Sequence, residues 1–133
     1  MNKRDTAIRN EEIVVRSLEK EYGWKGWISP YSERIDFTLG NDDFVNVVGE
    51  IKTRGDYYPN GWFVGKKKTK SLSAWKDVLV NAAPWFCIFY TKNKFIYILD
   101  VDTDFKRTPF NMPDEEGWIV PLSEWQTIPS VTD

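Results

Sequence analysis

Val47-Val48-Gly49-Glu50-Ile51-Lys52 decides the reading of the chain, because an apolar strand here carries two charges. Val45, Val47, Gly49 and Ile51 alternate with Asn46, Val48, Glu50 and Lys52, the period of an extended chain. Glu50 and Lys52 are two apart, so their side chains leave the same face. Charges in an apolar strand are costly to bury unless they are paired or bind an ion.

Upstream, Gly40-Asn41-Asp42-Asp43 is turn chemistry. Before it, residues 33–39 predict a strand with Ile35, Phe37 and Leu39 on one side and Arg34, Asp36 and Thr38 on the other. A short strand over 24–29 stops at Pro30. A first helix is expected over 6–22, where Ile8, Val15, Leu18 and Tyr22 recur at helical spacing and Val14 widens the stripe. Asp5 or Thr6 is the expected cap, and Gly23 the stop.

Downstream, residues 54–69 read as a loop rich in Gly, Tyr, Pro and Lys. A second helix is expected over 71–81, with Leu72, Trp75, Val78 and Leu79 on one face and Pro84 barring its continuation. Strands over 85–91 and 95–101 form a hairpin around Lys92-Asn93-Lys94, and a strand over 118–121 precedes a helical turn at 123–125. The expected fold is a single α/β domain with a mixed central sheet in α-β-β-β-α-β-β order. Its core covers about residues 6–101, with an acidic C-terminal extension over 102–133.

The chain of 133 residues contains no histidine. That excludes His-based zinc sites and Ser-His or Cys-His hydrolase arrangements. A hydrolase made from this inventory relies on carboxylates, lysines and a hard, oxygen-preferring cation. Cys87, the only cysteine, sits in the apolar run 85–89 and reads as a small hydrophobe. No stretch approaches the ~20 apolar residues of a membrane span, and no signal region opens the chain, so no membrane partner and a cytoplasmic location are expected. Net charge is −2, yet residues 52–76 hold seven bases and one acid, while 100–133 hold eight acids and two bases. Such a split presents a basic face on an acidic protein.

Asp36, Glu50 and Lys52 meet the needs of phosphodiester hydrolysis: carboxylates for Mg²⁺, which lowers the pKa of a bound water, and a lysine to orient that water or stabilise charge on phosphorus. The arrangement requires a register. A tight turn at Asn41-Asp42 would set Asp36 opposite Val47, whereas a longer loop over 41–45 would set it opposite Glu50, and a bulge at Gly49 is another remedy. Lys66, Lys67, Lys68 and Lys70, with Arg54, are candidates to track a phosphate backbone, with Trp62 and Tyr57 or Tyr58 to stack on bases. Asp100, Asp102 and Asp104 lack the glycine and distal glutamate of a calcium loop and read as exposed acids at a strand end.

Asp36, a thirteen-residue spacer and Glu50-Ile51-Lys52, after a helix carrying Glu11, Val14, Val15 and Leu18, resemble the PD-(D/E)XK nuclease superfamily. The likeness is to archaeal Holliday-junction resolvases and related small phage nucleases, and it covers roughly residues 8–101. Ile35 occupies the place of the proline in the family's name, a position at which the family varies. The resemblance implies a restriction-endonuclease-like core and a Mg²⁺- or Mn²⁺-dependent endodeoxyribonuclease acting on DNA as a two-fold homodimer. It makes Asp36, Glu50 and the carbonyl of Ile51 metal ligands, Lys52 the catalytic lysine, and Glu11 a helix-borne residue completing the metal shell, with Glu12 as its competitor. Two other classes compete: a non-catalytic nucleic-acid or protein-binding module on the same scaffold, and a carbohydrate-binding domain using Trp24, Trp27, Trp62 and Trp118. Clustering of those tryptophans on one exposed surface would favour the last, and burial would dismiss it.

Overall fold

In the computed structural model, which describes residues 2–29, 35–56, 60–79 and 81–131, the first helix α1 spans Lys3–Tyr22. It begins earlier than expected because Asn2, not Asp5 or Thr6, is the cap: its side-chain oxygen accepts the Asp5 N–H at 2.9 Å. Gly23 ends it in the left-handed region (φ 71°), its N–H donating to Glu19 O. Then follow β1 (Lys25–Ile28), β2 (Phe37–Gly40), β3 (Val45–Arg54), β4 (Gly61–Gly65), α2 (Lys66–Ala74), β5 (Ala83–Tyr90), β6 (Phe95–Asp100), β7 (Thr108–Met112), β8 (Glu115–Pro121) and β9 (Gln126–Pro129). A 3-10 turn covers Trp75–Asp77 and another Leu122–Glu124.

The main sheet runs β1-β2-β3-β5-β6-β9, antiparallel except for the parallel pair β3–β5, so the expected mixed sheet forms. Parallel neighbours need a crossover. Here it holds β4 and α2, and β4 joins a second sheet, β4-β8-β7. Within residues 54–69, expected as a loop, Trp62, Phe63 and Val64 pair with β8 and are buried, and α2 starts at Lys66 rather than 71. The four lysines are good helix formers, and Thr69 bonds back to Gly65 O at 2.8 Å. The helix ends at Ala74, where the chain tightens into the 3-10 turn. β7 and β9 were not anticipated. Each is an edge strand carrying a proline, Pro109 and Pro129, which breaks the alternating pattern of a strand. Through β7, β8 and β9 the acidic C-terminal region is built into both sheets. Among the described residues no helix is long and apolar enough to cross a membrane.

The main sheet is covered on both faces. On one, Val14, Val15 and Leu18 of α1 pack on Phe37, Leu39, Val47, Ile51, Cys87 and Phe89. On the other, Val48, Phe86, Ile88 and Leu99 meet Trp62, Val64, Leu72 and Val120. Burial of both faces explains the unbroken apolar runs of β5 and β6. From Val47 on β3 alternates as expected, with Val47 and Ile51 toward α1 and Val48 toward α2, whereas Val45, beside the register shift at Leu39–Gly40, packs on the α2 side.

The segment before β2 departs from the expected alternation. Ile35 packs with the α2-side core while Phe37 and Leu39 face α1, because the chain bends at Asp36 and β2 begins only at Phe37. Residues 30–34, including Glu33 and Arg34, lie outside the described residues. Phe37 stands opposite Gly49, and a Cβ at Gly49 would run into the Phe37 ring. Gly49→Ala should therefore lower unfolding free energy by about 1–3 kcal/mol through overpacking. In denaturant titrations, part of that loss should return in the Gly49→Ala/Phe37→Leu double variant.

Candidate active site

The register between β2 and β3 decides whether a site exists. Leu39 pairs with Val47, Thr38 with Val48 and Phe37 with Gly49, and the registered pairing ends there, one step short of Asp36 and Glu50. This is the longer-loop alternative: a shift between Leu39 and Gly40 brings Gly40 to Val45, and Asn41 holds the turn by accepting the Asp43 and Phe44 N–H groups. Asp36 is fixed three ways. Its N–H donates to Gly49 O at 2.8 Å, its C=O accepts from Ser29 N–H at 2.8 Å, and its carboxylate accepts the Ile51 N–H at 2.7 Å. The side chain thus takes the place of a strand acceptor where the pairing of β2 ends.

Glu50 is 3% exposed, and with Ser17 it makes up the buried polar residues among those described. Two ammonium groups face its Oε1: Lys52 Nζ at 3.5 Å and Lys68 Nζ at 3.3 Å. Burial, then the Asp36 charge, pushes the Glu50 carboxyl above the ordinary carboxylate range, and the two lysines pull it back. Lys68 was expected on the phosphate track rather than at the carboxylate. Its sequence position gives no such signal, because contact with Glu50 arises only when α2 packs on β3.

On the α1 side, a cleft of about 380 Å³ is lined by Thr6, Asn10 and Glu11 from the helix and Ile51, Lys52 and Thr53 from β3. Glu11 is half-buried there, and desolvation, then the charges of Asp36 and Glu50, raise its pKa to about 7. Glu12 lies elsewhere, within 4.0 Å of Arg16 and beside Gly26 and Trp27. Glu11, not Glu12, faces the candidate site. Among the described residues, no three acidic side chains stand together at the spacing of a metal cage.

The remaining candidates divide. Arg54 Nη1 donates to Thr53 O at 3.0 Å, and Lys66 stands 3.9 Å from Glu116. Lys67 and Lys70 are exposed on α2. The first turn of α2 carries no acid, which places the lysines at the positive end of the helix dipole, where anions are favoured. Trp62 is fully buried, so it cannot stack on a base, contrary to expectation; Tyr57 and Tyr58 lie outside the described residues. The tryptophans form no common exposed platform: Trp24 stacks on Tyr22, Arg107 covers Trp118, and Trp27 is exposed alone of the four. The carbohydrate-binding reading falls on its own criterion. Asp102 pairs with Lys76, and Asp100 accepts its N–H, as befits acids ending a strand. Cys87 is fully buried and its thiol pushed far up, so it packs rather than reacts.

Folding takes up a proton at Glu11 between its ordinary value of 4.5 and about 7. The metal-free protein should accordingly lose stability as pH rises through that window. Glu11→Gln should flatten this part of the stability–pH curve, as measured by thermal unfolding in chelator.

No family model matches the sequence, and no curated protein matches it. Among solved structures, the chain is similar to Hjc of Archaeoglobus fulgidus, a Holliday junction resolvase from an archaeal hyperthermophile, with a TM-score of 0.58 and 12% identity. The match covers 86% of this chain and 87% of that one. At that identity the likeness speaks of architecture: the two share a single-domain α/β fold with a mixed sheet, of the restriction-endonuclease-like kind.

Proposed function

We propose that this protein is a metal-dependent endodeoxyribonuclease that hydrolyses DNA phosphodiester bonds, and that branched, junction-like DNA is its substrate, cut by a two-fold homodimer. The observation that carries the reading is the meeting of three groups where β2 gives way. Asp36 grips the Ile51 amide at 2.7 Å, and the buried Glu50 stands beside Lys52. The junction and the dimer rest on the resemblance of the motif and on the shared fold of a protein described as a Holliday junction resolvase.

The donor chemistry suits a hard cation. Burial, and after it the Asp36 charge, makes Glu11 and Glu50 each hold a proton more tightly, a cost that a divalent ion would offset. Among the described residues no three carboxylates converge, so the fit is to Mg²⁺ or Mn²⁺, which take one or two carboxylates and keep several waters, rather than to a closed cage. Asp36, Glu50 and the carbonyl of Ile51 would hold it, with Glu11 at the edge of the shell. Bound there, the ion would neutralise phosphate charge and acidify a water.

The chain's own groups do the rest. Lys52, from the strand that carries Glu50, orients the attacking water and offsets charge developing on phosphorus. Glu11 lines the cleft beside Lys52 and would complete the metal shell from α1. Lys67 and Lys70 extend the basic surface along α2 for the phosphate backbone.

Cleavage of branched, duplex and single-stranded DNA with Mg²⁺, Mn²⁺ or chelator tests the reading. Asp36→Ala and Lys52→Ala should each lower the rate by about 10²–10³. Metal-dependent cutting that survives both substitutions would remove the site, and binding without cutting would favour a non-catalytic module. DNA affinity should fall linearly with salt on logarithmic axes, and replacing both Lys67 and Lys70 by Ala should reduce the slope by about 2.

A further inference from the structure

Glu50 receives both of its lysines on one oxygen, and the nearer of them comes from α2 rather than from the Glu-x-Lys strand. We propose that Lys68 is a positioning residue that holds Glu50 in the metal-free chain, releases it when a divalent cation binds, and then turns to the substrate phosphate. The inference rests on the metal-dependent reading above and assigns Lys68 a duty different from that of Lys67 and Lys70.

Three observations carry it. A carboxylate 3% exposed cannot remain ionised without compensation, and Lys68 Nζ at 3.3 Å is its nearer partner. Charge of both signs also meets at this residue: Glu50 interacts with the Glu11 and Asp36 carboxylates as well as with Lys52 and Lys68. A divalent cation would take the place of a lysine beside the carboxylates, and the lysine set free would suit a negatively charged phosphodiester. Finally, Lys68 is better placed to move than Lys52. Its side chain is 42% exposed against 33%, and it stands on the first turn of α2 beside the exposed Lys67, whereas Lys52 is held in a strand paired on to Arg54.

Calorimetric titration of the full chain with Mn²⁺, without DNA, tests the proposal. Lys68→Met should bind Mn²⁺ about three- to tenfold more tightly, since the ammonium no longer competes for Glu50. Lys76→Met removes the same charge from the exposed pair with Asp102 and should change affinity by less than about twofold. At saturating Mn²⁺, Lys68→Met should raise KM for DNA by a larger factor than it lowers kcat. Should Lys68→Met fail to fold, Lys68→Arg keeps the charge with a fork that grips a carboxylate, and its Mn²⁺ affinity should be equal to wild type or weaker. Tighter Mn²⁺ binding by Lys68→Arg would overturn the proposal, as would unchanged or weaker binding by folded Lys68→Met. If the wild type binds Mn²⁺ and cleaves DNA while Lys68→Met shows no gain in affinity, only the role of Lys68 falls. If the wild type neither binds Mn²⁺ nor cleaves, the nuclease reading falls and takes this inference with it.

Discussion

The bond from the Ile51 amide to the Asp36 carboxylate joins fold and site in one contact. β3 continues to Arg54, but its registered pairing with β2 reaches only the Phe37–Gly49 step. An amide inside a sheet must find an acceptor, and a side chain supplies it where the neighbouring strand bends away. The bend sends Ile35 to one core and Phe37 to the other, so Asp36 is anchored from both faces of the sheet. A carboxylate held this firmly keeps its position without a cation, which is the preorganisation that electrostatic catalysis requires. Gly49 completes the arrangement by leaving room for the Phe37 ring directly behind the bend.

The second constraint is the charge carried into the interior by Glu50. Burial makes its ionisation costly, and Lys52 and Lys68 offset that cost from two different elements. α2 therefore depends on β3 electrostatically as well as through Leu72. The helix places lysines at its own positive end, an arrangement that calls for outside anions. Glu50 meets Lys68 from beneath, and Glu116 approaches Lys66 from the β7–β8 side. Exposed Lys67 and Lys70 share a surface cleft with Lys66. Asp114, Glu115 and Glu116 of the C-terminal region line that cleft, while Lys52 and Lys68 flank Glu50.

The small sheet positions α2. β4 feeds directly into the helix at Gly65, and β8 holds β4 through five registered pairs, with Trp62 fully buried beneath. β9 closes the far edge of the main sheet, and Val131 N–H reaches Ser17 on α1 at 2.9 Å. The C-terminal region thus stabilises both layers that hold the candidate residues, α2 through the small sheet and α1 through this last bond.

Local chemistry is written in the sequence, and it determined a good deal. Period-two alternation located β3, apolar runs on either side of Lys92-Asn93-Lys94 located β5 and β6, helical spacing located α1, and Gly23 marked its end. The absence of histidine and the presence of Asp36, Glu50 and Lys52 narrowed the chemistry to carboxylates, lysine and a hard cation. What depends on partners distant in the chain stayed hidden. β4, β7 and β9 carry too little alternation to be read, and only pairing with β8 or β6 makes them strands. Both registers considered for Asp36 used the same residues, and the shift at Leu39–Gly40 chose between them. Glu11 and Glu12 differ by one step on a helix, and only the packing of α1 on β3 turns the first into the cleft. Lys68 looked like its neighbours in the lysine run until the crossover laid α2 against Glu50. Residue type and spacing are local quantities, whereas burial and charge pairing are set by the whole fold. The sequence therefore supplied the chemical groups, and the tertiary structure determined which of them meet.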